Sequence, residues 1–179
     1  MLTKKKRSNM GIIRYSIYFF IVGAFPIPFL FFVHEELPVS VLTILYEFSE
    51  GHARAISDRY IIISTIASSW TLLAPVVGML AVLTSGKKMQ HTYDMNQDTK
   101  KLIKALIYIL AFEMLVVIIF YFGLQNLSAA SPRLQVINSN PILLCLYYIT
   151  SFLAFYGLGW LPMFTLLLLI NAIRRKKRE

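Results

Sequence analysis

The stretch YIIISTIASSWTLLAPVVGMLAVL, residues 60–83, decides the fold class. It carries no charged side chain over more than the roughly 20 residues that a helix needs to cross a bilayer core. Residues 15–33, 102–124 and 141–171 form three further apolar stretches. The bilayer core offers no water to backbone groups, so each stretch is expected to be a helix. The sequence therefore predicts an all-α, polytopic membrane protein, with four transmembrane helices forming one domain over residues 1–179.

The composition of the chain also favours membrane insertion. Of its 179 residues, 57% are hydrophobic and 15% are charged, whereas soluble domains carry roughly 25% charged residues. The single cysteine, Cys145, excludes a disulfide framework and a multi-thiolate metal site. In a membrane protein, the net charge of +9 first indicates how the chain is oriented across the bilayer.

The basic residues divide unequally between the two sides of the predicted helices. Only Arg54, Arg59 and Arg133 lie in the first and third loops. By the positive-inside rule, both termini and the middle loop are expected in the cytoplasm. The apolar run continues as far as Phe32, which favours a retained first helix over a cleaved signal peptide. The fifteen basic residues on the cytoplasmic side are Lys4, Lys5, Lys6, Arg7, Arg14, Lys87, Lys88, Lys100, Lys101, Lys104, Arg174, Arg175, Lys176, Lys177 and Arg178.

The first outward loop, residues 34–59, is predicted to contain an amphipathic helix. Glu47 and Glu50 lie on its polar face, and the loop has a net charge of −3. Acidic residues collect outside when basic ones are kept inside, which is one explanation of this charge; a docking surface for a cationic partner is the other. The apolar residues that share the opposite face at helical spacing are Val41, Ile44, Leu45 and Phe48.

One face of the second predicted helix carries no large side chain. Small residues let helix backbones approach closely in lipid, so this face is expected to pack within the bundle, with a homodimer seam as the alternative. The residues of this small-residue stripe are Ser64, Ala67, Thr71, Ala74, Gly78, Ala81 and Ser85.

Glu113 is an ionisable residue at the centre of the third predicted helix, where a charge costs roughly 3 kcal/mol or more. We expect a structural role in which its carboxyl group is protonated and hydrogen bonded to hydroxyl groups. A proton site or a contact with a partner protein is the alternative. The hydroxyl groups expected near it are those of Ser68, Thr150 and Ser151.

Trp70 falls near mid-membrane, where its indole N–H needs a hydrogen-bond acceptor on another helix. Tyr147 and Tyr148 lie near a predicted helix end and are assigned to an interfacial aromatic belt.

Catalytic motifs are absent from the sequence. His34, His52 and His91 are spaced too irregularly to form a ligand pair, and neither a HExxH motif nor a glycine-rich phosphate loop occurs. We therefore expect neither enzymatic activity nor a cofactor or metal. The lysine clusters beside the predicted helices are interpreted as contacts with anionic membrane lipids, and nucleic-acid binding is not expected.

The order of several short motifs resembles the immunity proteins of A-type pore-forming colicins. Residues 21–26, IVGAFP, are similar to the family's Ile-Ile-Gly-x-x-Pro, and 74–83, APVVGMLAVL, to its Thr-Ala-Pro segment. Residues 126–131, NLSAAS, take the place of Glu-Leu-Thr-Thr-Ala-Gly, and 161–162, Leu-Pro, lead to a helix and a basic tail. The chain departs from the pattern at Leu73, where the family has Thr, and at the first of the NLSAAS residues, where it has Glu.

This resemblance implies a four-helix protein of the bacterial inner membrane. Such proteins bind the membrane-inserted pore-forming domain of one cognate colicin and block channel opening, without enzymatic chemistry. The residues expected to bind this partner are Glu47, Glu50, Ser68, Trp70, Asn126 and Arg133. A small proton-coupled exporter using Glu113, or an accessory subunit of a membrane transport complex, is the alternative.

Overall fold

A computed structural model describes residues 14–53, 55–89, 99–123, 127 and 132–176. Within these ranges the chain is all-helical and forms no β-strand, which confirms the all-α part of the prediction. The helices are α1 (14–24), α2 (Pro26–Val33), α3 (Val39–Ser49), α4 (Ile61–Thr71), α5 (Ala74–Met89), α6 (Thr99–Gly123), α7 (Pro132–Ser139) and α8 (Pro141–Lys176).

Three helical segments among the described residues are long and apolar enough to cross a membrane. They are Arg14–Val33, Ile61–Ser85 and Pro141–Arg174, and they coincide with three of the four predicted spans. The fourth predicted span, 102–124, lies in the region of α6, a helix of 25 residues. Whether α6 crosses a membrane stays a prediction.

Prolines interrupt the first two of these segments. Pro26 and Pro28 have no N–H to donate to the carbonyl groups four residues earlier, and Phe25 separates α1 from α2. Pro75 has the same effect between α4 and α5. There the N–H groups of Leu72 and Leu73 donate to carbonyl oxygens three residues earlier, at 3.1 and 3.0 Å, and form a turn.

Helix α8 begins after a side-chain cap. Asn140 Oδ1 accepts the N–H of Ile142 at 2.9 Å and that of Leu143 at 3.3 Å. Pro141 occupies the first helical position, where no N–H is needed. The helix continues past Pro162, so this proline does not end it.

Helix α3 is the predicted helix of the first loop. Its last turn closes with a hydrogen bond from the Glu50 N–H to the Tyr46 carbonyl oxygen at 2.8 Å. Gly51 follows with φ of 83°, a left-handed conformation that ends helices and that glycine adopts without strain.

The chain divides into two compact units. The α5 unit comprises Met1–Ile21, Pro75–Leu115 and Tyr156–Glu179; the α3 unit comprises Val22–Ala74 and Val116–Phe155.

The small-residue stripe is buried along its whole length in the described structure. In the α5 unit, a Cβ atom on Gly78 would meet the carbonyl oxygen of Tyr156, and one on Gly159 would meet the backbone of Pro75. Helices α5 and α8 therefore pack there backbone against backbone. The buried stripe residues are Ser64, Ala67, Thr71, Ala74, Gly78, Ala81 and Ser85.

Candidate partner-binding surface

Two carboxylates, one on α3 and one on the residue that follows it, face the surroundings. Glu47 and Glu50 are exposed, and no ion pair to either occurs among the described residues. The apolar face of the helix is covered only in part. Val41 and Leu45 line a cavity in the α3 unit, whereas Phe48 is 83% exposed. The exposed part of α3 thus combines free negative charge with uncovered apolar surface.

Serine hydroxyl groups hold the segment after α3 against α4. The Ala55 N–H donates to Ser68 Oγ at 3.2 Å, and the Ser57 N–H donates to Ser64 Oγ at 3.0 Å. The Tyr148 hydroxyl donates to the Ala55 carbonyl oxygen at 2.6 Å. Side chains of α4 and α8 thus satisfy buried backbone groups that lie outside any helix.

Further hydrogen bonds hold both ends of this segment. Ser69 Oγ donates to the carbonyl oxygen of Ser49, the last residue of α3, at 2.9 Å. The Leu127 N–H donates to the Ile56 carbonyl oxygen at 3.0 Å. The Arg59 guanidinium donates to the Ser139 carbonyl oxygen at 3.3 Å, so this cation is engaged away from α3. These bonds hold the end of α3 and both ends of the segment that follows it in place.

The structure corrects the assignment of Tyr148. The sequence places this residue in an interfacial belt, but it is 1% exposed and its hydroxyl group binds the loop backbone. Sequence analysis also missed the roles of Ala55 and Ser57. The sequence did contain one indication of these contacts. Ser64 and Ser68 are one helical turn apart, so their hydroxyl groups share a helix face.

Trp70 has the hydrogen-bond partner on another helix that the sequence analysis expected for its indole N–H. Its indole N–H donates to the Gly23 carbonyl oxygen of α1 at 2.8 Å. Gly23 lies just before Pro26 and Pro28, which interrupt the backbone hydrogen bonds of the helix. The bond therefore joins α4 to α1 near the break between α1 and α2.

An apolar cavity of about 240 Å³ lies among α2, α3 and α4 within the α3 unit. Among the described residues that line it, only Trp70 has a polar side-chain group, an indole N–H that already binds Gly23. Residues that line the cavity include Pro26, Ile27, Leu30, Val41, Ile66 and Trp70.

The remaining residues predicted to bind a partner are placed differently. Ser68 is 2% exposed and accepts the Ala55 N–H, so it would act on a partner through the loop that it holds. Asn126 lies outside the described residues. Arg133 lies in α7, and only its backbone is described. Their contact with a partner stays a prediction.

Glu113 and the hydroxyl groups expected near it belong to different units. Glu113 lies in the α5 unit and is half-buried, and its Oε1 atom is buried without a hydrogen-bond partner in the structure as described. Thr150 and Ser151 lie in the α3 unit and donate to carbonyl oxygens of their own helix, each at 2.8 Å. A hydrogen bond from Ser68, Thr150 or Ser151 to Glu113 stays a prediction.

The described residues contain no group of three or more His, Cys, Asp or Glu side chains that could hold a metal ion. The chain was also compared with protein-family models, curated proteins and solved structures, and none of them matches.

Proposed function

We propose that this chain is an immunity protein of the bacterial inner membrane that binds the inserted pore-forming domain of a cognate colicin and blocks channel opening. In this proposal four helices, including α6, cross the membrane, and both termini lie in the cytoplasm. The order of the motifs in residues 21–26, 74–83, 126–131 and 161–162 supports the family, and the distribution of basic residues supports the orientation.

The fixed loop of the α3 unit is the observation that carries the proposal. Binding costs less when the surface is ordered beforehand, because fewer side chains and loops lose freedom on association. Serines of α4 and the Tyr148 hydroxyl hold the segment after α3, and Ser69 holds the end of α3 itself. The loop is therefore ordered before any partner binds.

The proposed mechanism requires no chemical step. A partner that binds only the closed form of a channel shifts the population toward that form. Moving an equilibrium from 1:99 to 99:1 takes a preference of about 10⁴-fold for the favoured state. Glu47 and Glu50 would steer a cationic toxin segment to α3, and groups deeper in the membrane, such as Trp70, would supply most of the specificity.

A colicin challenge tests the assignment. Sensitive cells that express the chain are exposed to a panel of A-type pore-forming colicins, and potassium leakage is measured. Leakage should fall for one or a few related toxins. Killing by nuclease colicins should be unchanged, which controls for a general loss of toxin uptake. Unchanged leakage across the whole panel would reject the immunity assignment.

The buried Oε1 atom of Glu113 favours a second candidate, a small proton-coupled exporter. A carboxyl oxygen without a hydrogen-bond partner can gain and lose a proton without breaking an internal bond. This candidate requires Glu113→Gln to abolish proton-coupled efflux from vesicles. The immunity proposal requires the same variant to keep protecting cells.

A further inference from the structure

Helix α3 has three faces, and only one of them packs against the protein. Leu42, Tyr46 and Ser49 are its least exposed side chains, and their spacing places them on one face. The apolar residues form a second face, on which Ile44 is 66% exposed and Phe48 is 83% exposed. The described protein therefore leaves most of the apolar face of α3 uncovered.

The third face of α3 is polar. Ser40, Thr43 and Glu47 lie on it, and all three side chains are exposed. Helical geometry separates this polar face from the apolar one by about a third of a turn. A helix that lies in a membrane interface has the same division, because its apolar side chains enter the lipid while its polar side chains stay in water. The two open faces of α3 therefore fit a lipid surface.

A hydrogen bond places the end of α3 beside the membrane-spanning part of α4. The candidate span Ile61–Ser85 has 25 residues, so it is about 37 Å long and exceeds a bilayer core of roughly 30 Å by about 7 Å. Ser69 donates to the Ser49 carbonyl oxygen at 2.9 Å, and Ser69 lies about 12 Å along the helix axis from Ile61. This distance is greater than the whole excess length. The end of α3 is therefore level with hydrocarbon.

The segment after α3 has the hydrogen bonds that a backbone at this depth requires. Non-helical backbone is tolerated at membrane depth where it is buried in protein or lines a water-filled cavity. Ala55 is 1% exposed and Ser57 is fully buried, and their N–H groups donate to the hydroxyl oxygens of Ser68 and Ser64. The segment can therefore lie below the membrane surface beside α4 without exposing polar backbone groups to lipid.

We propose that α3 is an interfacial helix whose apolar face, formed by Val41, Ile44, Leu45 and Phe48, docks onto the acyl chains of one bilayer leaflet. The polar face with Glu47 remains in contact with water, and the segment after α3 returns to α4 below the membrane surface. The proposal rests on the membrane insertion in the proposed function and is independent of toxin binding. A partner that contacts Glu47 then does so at the lipid surface.

Fluorescent labels on neighbouring residues of α3 test this proposal. Cys145 is the only cysteine, so Cys145→Ala allows one introduced cysteine of the full chain to carry a nitrobenzoxadiazole group. Phe48→Cys and Glu47→Cys form a matched pair, because neighbours in a helix differ by only about 1.5 Å along the axis but lie on different faces. Ile44→Cys and Thr43→Cys repeat the comparison one turn earlier, which keeps the test available if one labelled variant does not accumulate.

Two quenchers distinguish lipid from water around each label. The proteins are reconstituted in lipid nanodiscs that hold one copy of the chain, and quenching is measured with acyl-chain spin-labelled phosphatidylcholine and with aqueous iodide. Labels on Phe48→Cys and Ile44→Cys should be quenched by the lipid and protected several-fold from iodide, whereas Glu47→Cys and Thr43→Cys should show the reverse. Val76→Cys is the reference for lipid contact, because Val76 is 54% exposed within the candidate span Ile61–Ser85.

Three results would overturn the proposal. Equal iodide quenching at the apolar and polar positions would show that the apolar face lies in water. Protection of Phe48→Cys and Ile44→Cys from both quenchers would show that a protein surface covers this face. A lack of lipid quenching at Val76→Cys would show that the span is not inserted, and the proposed function would then fail as well. A failed colicin challenge together with lipid quenching of the apolar face would reject the immunity assignment alone.

Discussion

Gly78 and Gly159 allow α5 and α8 to touch within the α5 unit. A Cβ atom at either position would overlap the backbone of the other helix. Gly157 lies two residues earlier in α8, and a Cβ atom there would meet nothing within 4 Å. The three glycines therefore differ in the space around them, although all three lie within helices.

Alanine at Gly78 or Gly159 should lower the free energy of unfolding by about 1–3 kcal/mol, the usual cost of overpacking a close contact. Gly157→Ala should leave stability unchanged or raise it slightly, because alanine favours a helix. Cys145 is the only cysteine and is buried, so the reaction of a thiol dye on heating reports unfolding. Equal midpoints for all three variants would show that α5 and α8 do not approach as closely as described.

The Oε1 atom of Glu113 is buried and has no hydrogen-bond partner in the structure as described. The hydrogen bonds that the sequence analysis expected from hydroxyl groups to this carboxyl group stay a prediction. An unsatisfied buried polar group costs about 1–3 kcal/mol, and replacing it with an apolar group of similar shape can be neutral or stabilising.

We therefore expect Glu113→Leu to unfold at the same temperature as the natural chain or at a higher one. Glu113→Gln should retain protection against the cognate toxin, and Glu113→Ala should lower stability because it leaves a void. The thiol-dye assay measures stability, and the colicin challenge measures function. A leucine variant that unfolds earlier would mean that the carboxyl group has a stabilising partner. A glutamine variant that accumulates normally but does not protect would show a functional role instead.

The positions of the helices could be predicted from the sequence, whereas the conformation of the segment after α3 could not. Apolar length, the Asn140 cap and the positions of Pro26 and Pro75 predict where helices form and break, because those effects act within a few residues. The loop conformation depends on a hydrogen bond between Ala55 and Tyr148, which are 93 residues apart. The spacing of apolar residues along the chain carries no information on contacts between distant residues. The sequence analysis therefore assigned Tyr148 to the membrane interface.

The proposed partner-binding role of α3 leads to a graded prediction. Glu47→Gln with Glu50→Gln should weaken protection modestly, and the loss should shrink at high salt because exposed charges mainly steer the encounter. Trp70→Ala should weaken protection more, since it removes the bond to Gly23 and enlarges the cavity. Trp70→Phe keeps most of the apolar volume and should lie between them. The protection given by each of the three variants is measured as the toxin dose that causes half-maximal potassium leakage. A larger loss in the double glutamine variant than in Trp70→Ala would mean that charge dominates recognition.

The candidate partner-binding surface depends on the orientation of the protein across the membrane. The structure shows three helical segments able to cross a membrane among the described residues, and the direction in which they cross stays a prediction. The basis for direction is charge. Fifteen of the 18 basic residues lie in the termini and the middle loop, and α3 carries exposed carboxylates instead. A toxin that arrives from the periplasm can meet α3 only if this bias decides the topology.

Reporter fusions test the direction at four points. Fusions after Lys88 and after Glu179 should report the cytoplasm, and fusions at Gly51 and Arg133 should report the periplasm, because basic loops resist translocation. This pattern also requires α6 to cross the membrane, since the chain must pass from the side of Lys88 to the side of Arg133. A cytoplasmic signal at Arg133 together with a periplasmic signal at Gly51 would remove α6 from the spans. A cytoplasmic signal at Gly51 would place Glu47 and Glu50 where a periplasmic toxin cannot reach them, and recognition through α3 would be excluded.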